Sequence, residues 1–359
     1  MNGNWRDNIR RVAPYVPGEQ TMSPRAVKLN TNENPYPPAP EVLQVIRESN
    51  DEGLRKYPDP DCRQLIHALA DYHGVKPSQV FVGVGSDDVL AMAFMTFFCG
   101  SQPVLFPDIS YAFYEVWAEM LRIPYRKQPL DDGFRLKKED YFQKNGGIVF
   151  PNPNAPTGLL EPVSAIEEIV AANPESVVII DEAYIDFGGE SVLSLVDKYD
   201  NLLVTRTYSK SRSLAGMRIG YAIGQEELIS SMLDVRNSYN SYTMNQTALA
   251  AGTAALADES YFRETLSKII RTREDAKERM RKLGFSAPVG GESFSNFLFL
   301  AHESVPAGLI FQKLREREIF VRYFNKPRID NYLRITIGTP EQMEILYDNL
   351  REILKETEV

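Results

Sequence analysis

From residue 80 onward, short apolar runs alternate with stretches of helical spacing. The runs are Val80-Phe81-Val82, Val104-Leu105-Phe106, Ile148-Val149-Phe150, Val177-Val178-Ile179-Ile180, Leu202-Leu203-Val204 and Ile219-Gly220-Tyr221-Ala222-Ile223. Neighbouring positions in each run are apolar, so both faces of the strand must be covered, the condition of a largely parallel sheet with helices on either side. In open sheets of this kind ligands bind beyond the carboxyl ends of the strands. The residues that follow each run are therefore the place to look for chemistry.

Ahead of the first run the pattern differs. Pro14, Pro17, Pro24, Pro35, Pro37, Pro38 and Pro40 interrupt any regular element, so the first forty residues read as an arm packed on something else. A helix begins at Pro40, with Val42, Leu43 and Ile46 on one face. A second, from about Asp61, carries Leu65, Ile66, Leu69 and Tyr72 and stops at Gly74, a C-cap. Beyond Asp258 a charged helical stretch runs to about Lys282. It leads into Phe297-Leu298-Phe299-Leu300, a helix near Ala307 to Arg315, Ile319-Phe320-Val321-Arg322, Leu333-Arg334-Ile335-Thr336 and an amphipathic helix from Pro340 to about Lys355. At 359 residues the chain exceeds one ordinary core. The expected organisation is an arm over 1–40, a large domain over 41–257 and a smaller α/β domain over 258–359, with no internal repeat.

Composition narrows the function classes. With 43% hydrophobic and 25% charged residues, the chain is globular in character throughout. Its 40 basic residues against 49 acidic, with no basic stripe, speak against nucleic acid or an acidic membrane and for small-molecule partners. Cys62 and Cys99, both in stretches that read as helical, make no disulfide framework, and a reducing compartment follows. The N-terminus lacks an apolar signal core, and the run from Val89 to Phe98 is too short to span a bilayer, so a cytoplasmic protein is expected. His67, His73 and His302 show no metal-ligand spacing with the cysteines, and no metal is assigned.

Candidate chemistry lies at the strand ends. In Ile179-Ile180-Asp181-Glu182-Ala183-Tyr184, Asp181 ends a buried strand, where a carboxylate is costly without a cation or strong donor. A pyridinium nitrogen would satisfy it and keep a cofactor ring protonated, with Tyr184 near the phenolic oxygen; the competing reading is a helix cap. After Leu202-Leu203-Val204 come Thr207, Ser209, Lys210 and Arg218. Two hydroxyls and a guanidinium suit a phosphate, and Lys210 then faces the reactive carbon of pyridoxal 5'-phosphate as its Schiff-base partner; a plain basic surface loop fits this interleaving poorly. Gly83-Val84-Gly85-Ser86-Asp87-Asp88 is a Gly turn opening a helix, a phosphate-binding arrangement. A dinucleotide fingerprint would need glycine where Asp88 stands, and no P-loop is present, which weakens dehydrogenase and NTPase readings. Tyr111 either stacks on the cofactor or belongs to a core with Phe113, Tyr114 and Trp117. Pro151-Asn152-Pro153-Asn154-Ala155-Pro156-Thr157-Gly158 reads as turn chemistry.

Taken in order over nearly the whole chain, these pieces resemble the fold-type I aminotransferases, and among them the histidinol-phosphate aminotransferases of histidine biosynthesis. Leu29-Asn30-Thr31-Asn32-Glu33-Asn34-Pro35-Tyr36-Pro37 is similar to the family's N-terminal motif. Lys56-Tyr57-Pro58 resembles the segment whose tyrosine reaches the partner subunit's cofactor phosphate, which implies a homodimer. The resemblance implies an α/β fold, a large domain with a mostly parallel sheet plus a smaller domain. It makes Asp181 the pyridinium partner, Tyr184 the phenolic-oxygen ligand, Lys210 the Schiff-base lysine and Arg218 the phosphate arginine. Ser86 and Asp87 fall in the phosphate turn, Tyr111 on the stacking aromatic, and Thr207 and Ser209 on the hydroxyls before the lysine. The family's asparagine before Pro-Thr-Gly is replaced by Ala155, so either Asn154 substitutes through a shifted loop or Tyr184 acts alone. Ala13-Pro14-Tyr15-Val16-Pro17-Gly18 is similar to the arm that carries a substrate-side tyrosine, while Arg322 and Arg334 resemble the anion-binding arginines. The implied substrates are histidinol phosphate with 2-oxoglutarate, giving imidazole-acetol phosphate and glutamate. Threonine-phosphate decarboxylases, broad aromatic or aspartate-type aminotransferases and non-catalytic members share the scaffold.

Overall fold

The structure, a computed structural model, describes residues 4–21, 23–49, 51–288 and 291–357. Its centre is a seven-stranded sheet in the order Val80–Gly83, Gly220–Gly224, Leu202–Thr207, Val178–Asp181, Gly147–Pro151, Val104–Pro107, Tyr125–Gln128. Gly220–Gly224 runs antiparallel to both of its neighbours, and the remaining pairs are parallel. Six of the seven strands bury both faces, as their unbroken apolar runs require. Phe81, Val149, Ile179 and Leu203 pack on one side with Phe94, Trp117 and Met232. Val82, Ile148, Ile180 and Val204 pack on the other with Leu65, Leu69, Ile166 and Ala248.

The edge strand Tyr125-Arg126-Lys127-Gln128 carries no apolar run. An edge needs none, because one side of its ladder faces solvent and basic residues there discourage pairing with other chains. The cysteines differ from the sequence reading. Cys62 sits in left-handed backbone as the residue before the helix Arg63–His73, and Cys99 follows the helix Ser86–Phe97.

A second, four-stranded sheet, Arg322–Tyr323, Leu333–Thr336, Phe297–His302 and Phe285–Ser286, is antiparallel throughout. The helices Glu259–Lys282, Ala307–Glu316 and Pro340–Thr357 cover it, burying Ile269, Ile310 and Leu350 among others. The run Ile319 to Arg322 is not one strand. Ile319–Phe320 pairs in parallel with Val27–Lys28 from the N-terminal segment, and Arg322–Tyr323 joins the four-stranded sheet. Residues 29–34 then thread between the two units. The Leu29 carbonyl accepts from the Thr336 amide at 2.9 Å, the Asn32 carbonyl accepts from Asn296 Nδ2 at 2.9 Å, and Asn34 Nδ2 donates to the Ser211 carbonyl at 3.0 Å.

Behind the strand ends lies a buried ion pair, Arg206 to Glu182 at 2.8 Å, whose carboxylate also accepts from Ser191 Oγ and the Val192 amide. Removing one partner strands a buried charge, whereas an exposed pair such as Arg263 to Glu259 is screened by water. Arg206→Leu is therefore expected to lower unfolding free energy in denaturant titrations by about 3–5 kcal/mol, and Arg263→Leu by less than about 1 kcal/mol. Equal losses would contradict this reading.

Candidate active site

The parallel register brings the carboxyl ends of the central strands level: Asp181 lies opposite Pro151 on one side and Thr205 on the other. The Asp181 carboxylate is buried. It accepts from the Tyr114 hydroxyl at 3.1 Å and the Ala183 amide at 3.2 Å, with the Thr205 hydroxyl at 3.5 Å, and makes no ion pair among the described residues. Burial, with the charge of Asp87 adding to it, outweighs these hydrogen bonds and pushes the carboxyl up to about 6. A buried acid so poorly compensated is a site for a cationic group.

Asp181 lines a cavity of about 180 Å³ together with Ser86, Tyr111, Tyr184, Thr207, Lys210 and Arg218. At one end is a phosphate-sized cradle. Gly85, at φ +84°, precedes the helix Ser86–Phe97, and a Cβ there would stand 2.5 Å from a guanidinium nitrogen of Arg218. A Cβ on Gly220 would stand 2.3 Å from the Ser86 nitrogen, so only glycine lets these backbones meet. Thr207 Oγ1 and Ser209 Oγ lie 3.0 Å apart, both buried. Helix-start amides, two hydroxyls and a guanidinium form an anion-binding donor set. Asp87 contributes differently from the sequence reading. Its carboxylate accepts from the Tyr111 hydroxyl at 2.6 Å and from Arg218 at 3.2 Å, so it positions those two groups, and only its backbone can face an anion.

Lys210 Nζ is 3.3 Å from the Thr31 carbonyl and 5.8 Å from the centre of the Tyr184 ring. The Tyr184 hydroxyl accepts from Asn32 Nδ2 at 2.8 Å. Tyr111 packs 5.4 Å from Phe113 and 5.7 Å from Tyr114, as its core reading has it, and it also lines the cavity. The shifted-loop reading of Asn154 is not what the structure holds. Its side-chain amide donates to the Ile109 carbonyl at 3.1 Å and to Thr157 at 3.0 Å, and Ala155 lines the cavity in its place. Those contacts occupy its Nδ2 and fold the Pro/Asn turn onto itself, while its Oδ1 is buried without a partner among the described residues.

A second cavity, of about 830 Å³, shares Tyr111, Ala155 and Tyr184 with the first and adds Tyr15, Arg322, Lys326 and Arg334. Tyr15 stacks on Phe113 at 4.3 Å. Arg334 donates to the Asn30 carbonyl at 2.9 Å, while its Nε is buried and unpaired. Arg322 donates to the Val16 and Pro17 carbonyls at 3.1 and 3.3 Å. Neither arginine makes an ion pair among the described residues, so both guanidiniums are free to take an anion. Tyr57, by contrast, lines neither cavity; it is 80% exposed and stacks on Tyr242 at 4.6 Å.

Two residues of the site escaped the sequence reading. Tyr114, which donates to Asp181, has the spacing of a core aromatic, and nothing local separates the two roles. Asn32 stood only inside a motif. Asn30, Asn32 and Asn34 at alternate positions were the available signal that this segment satisfies buried polar groups.

Asp181 yields a pH prediction for the cofactor-free protein. Its native pKa lies above the ordinary value of 3.8, so the folded state holds the proton more tightly and stability falls as pH rises from about 4 to about 6. Asp181→Asn removes the titration. The variant should gain on the parent by roughly 2 kcal/mol between pH 4 and pH 7 in denaturant titrations, and a constant difference across that range would contradict the burial argument.

Residues 24–350 match the family model for aminotransferase class I and II. The chain is 50% identical over 355 residues to the histidinol-phosphate aminotransferase of Lactococcus lactis subsp. cremoris (strain SK11), covering 99% of each chain. It is 49% identical over 350 residues to that of Pseudomonas putida (strain KT2440), covering 98% of this chain and 100% of the relative. Among solved structures, the Sinorhizobium meliloti histidinol-phosphate aminotransferase in complex with pyridoxal-5'-phosphate superposes with a TM-score of 0.83 at 26% identity, over 92% of this chain and 91% of the other. The L-threonine-O-3-phosphate decarboxylase of Porphyromonas gingivalis shares the fold, with a TM-score of 0.77 at 22% identity over 91% of this chain and 99% of the other. The doubly covered, mostly parallel sheet, the polar groups gathered at its carboxyl edge and these similarities agree: the chain belongs to the class I and II aminotransferase family.

Proposed function

We propose that the protein is a pyridoxal-phosphate-dependent histidinol-phosphate aminotransferase, exchanging the amino group of histidinol phosphate with 2-oxoglutarate in histidine biosynthesis. The observation that carries this is the joining of two cavities through Tyr111, Ala155 and Tyr184: one holds a buried acid, a lysine and a phosphate cradle, the other two arginines without acidic partners. Asp181 would hold the ring nitrogen of pyridoxal phosphate. Ser86, Thr207, Ser209 and Arg218 would hold its phosphate, with the Asp87 backbone; Tyr184 would hold its phenolic oxygen and Tyr111 its face. When bound, the cofactor supplies an electron sink for the carbanion at the substrate's amine-bearing carbon.

The protein's own groups do the rest. Lys210 Nζ takes the proton from that carbon and returns it later, acting as general base and then acid. Arg334, and Arg322 beside it, take the phosphate of histidinol phosphate in one half-reaction and a carboxylate of 2-oxoglutarate in the other, since a guanidinium fork suits both anions. Tyr15 and the arm residues Val12 to Val16 line the same cavity and shield it from bulk water. The chain's exposed Tyr57 would reach the partner's phosphate cradle in a homodimer. The reading includes a cytoplasmic setting and the division into an arm over 1–40, a large domain over 41–257 and a small domain over 258–359.

Two measurements test this. Lys210→Ala should lower kcat by at least about a thousandfold and remove the visible absorbance of the lysine-bound cofactor; a variant that transaminates normally would sink the assignment. Given 2-oxoglutarate and a set of amino donors, the enzyme should favour histidinol phosphate over histidinol by about a hundredfold or more in kcat/KM, because two charge-assisted arginine contacts are lost with the phosphate. Release of CO2 from phosphothreonine without need of a keto acid would instead establish the decarboxylase reading.

A further inference from the structure

Tyr184 is tied to the small sheet through one asparagine, and that tie decides which way its hydroxyl proton points. Asn32 is fully enclosed, at φ +56°, and its backbone carbonyl accepts from Asn296 Nδ2 at 2.9 Å. Its backbone amide donates to the Thr336 hydroxyl at 3.0 Å, and the same hydroxyl contacts Asn32 Oδ1 at 3.0 Å. A threonine hydroxyl has one proton. Having accepted from the amide, Thr336 gives that proton to Asn32 Oδ1, its remaining contact among the described residues. The Asn32 amide group is thereby oriented, with Nδ2 donating to the Tyr184 oxygen at 2.8 Å. The opposite orientation would press a second donor on Thr336, leave its proton without an acceptor and make Tyr184 spend its own proton on Asn32.

We propose that Asn32, set by Thr336, is a positioning residue that keeps the Tyr184 hydroxyl a donor toward the cavity. The inference rests on the reading that Tyr184 faces the cofactor's phenolic oxygen. Ala155 beside it offers no hydrogen-bonding side chain, so the direction of this one proton determines whether that oxygen has a donor on the Tyr184 side. Thr336 lies on the strand Leu333–Thr336 of the small sheet and Tyr184 follows the strand Val178–Asp181 of the large one. The docking of the two units therefore sets a proton in the site.

The test exploits the near-identical shapes of Asn and Asp. Asn32→Asp presents oxygen where Nδ2 stood and so draws the Tyr184 proton away from the cavity, whereas Asn32→Ala leaves that proton free. The apparent Kd of pyridoxal phosphate for the cofactor-stripped full chain, and the visible absorbance spectrum after loading, are measured for both variants, alone and combined with Tyr184→Phe. Asn32→Asp should bind about tenfold more weakly than Asn32→Ala and shift the spectrum, and the gap should close in the Tyr184→Phe background. Thr336→Val should weaken binding in the same sense, with Thr336→Ser restoring it, and this pair decides the matter if Asn32→Asp does not fold. Equal effects of Asn32→Asp and Asn32→Ala, or a gap that persists without the tyrosine hydroxyl, or Thr336→Val behaving as the parent, would overturn the proposal. If Tyr184→Phe alone changes neither affinity nor spectrum, the underlying reading of Tyr184 fails instead, and the proposal with it.

Discussion

An aspartate carboxylate closed off from water at the end of a central strand, with hydrogen bonds but no cation, is the constraint around which this structure is arranged. Asp181 is held by Tyr114, the Ala183 amide and Thr205, and burial still raises its pKa to about 6. Such a group destabilises the fold whenever it is ionised, unless a positive charge meets it. The cavity it lines, of about 180 Å³, is also lined by a lysine, two hydroxyls and a guanidinium from separate segments of the chain. Pyridoxal phosphate matches that distribution of charge: cation toward the acid, anion toward the helix start, carbonyl toward the lysine.

The segment 29–34 makes the site a property of the whole chain. It bonds to the small sheet through Leu29 and Asn32, to Arg334 through the Asn30 carbonyl, and to the residues around Lys210 through Thr31 and Asn34. A stretch that anchors both the substrate-side arginine and the lysine couples the two cavities without belonging to either sheet. Arg334 keeps an unpaired Nε, and neither it nor Arg322 has an acidic partner among the described residues, although Glu115 and Glu119 also line the larger cavity.

The framework was legible in the sequence where burial is two-sided, because a strand covered on both faces must be apolar at consecutive positions, and the polar residues ending such a run then stand out. Asp181, Lys210 and Arg218 were found in that way. The edge strand Tyr125–Gln128 was invisible because solvent on one side removes the requirement. The break within 319–322 depends on Val27–Lys28 lying alongside, nearly three hundred residues distant, which no local pattern encodes. Tyr114 is aromatic, as a core position would be, and only its hydroxyl differs. The turn at Asn154 could be resolved only by knowing that Ile109 and Thr157 compete for its amide.

The central claim is that Asp181 is there to meet a protonated ring nitrogen. The most direct test compares the affinity of the cofactor-stripped protein for pyridoxal phosphate with that for an analogue in which carbon replaces the ring nitrogen. The two share phosphate, carbonyl and phenolic oxygen, so they differ only at Asp181. The account predicts that the analogue binds at least about tenfold more weakly, since a charge-assisted contact is lost and the buried acid is left uncompensated. Equal affinities would contradict it.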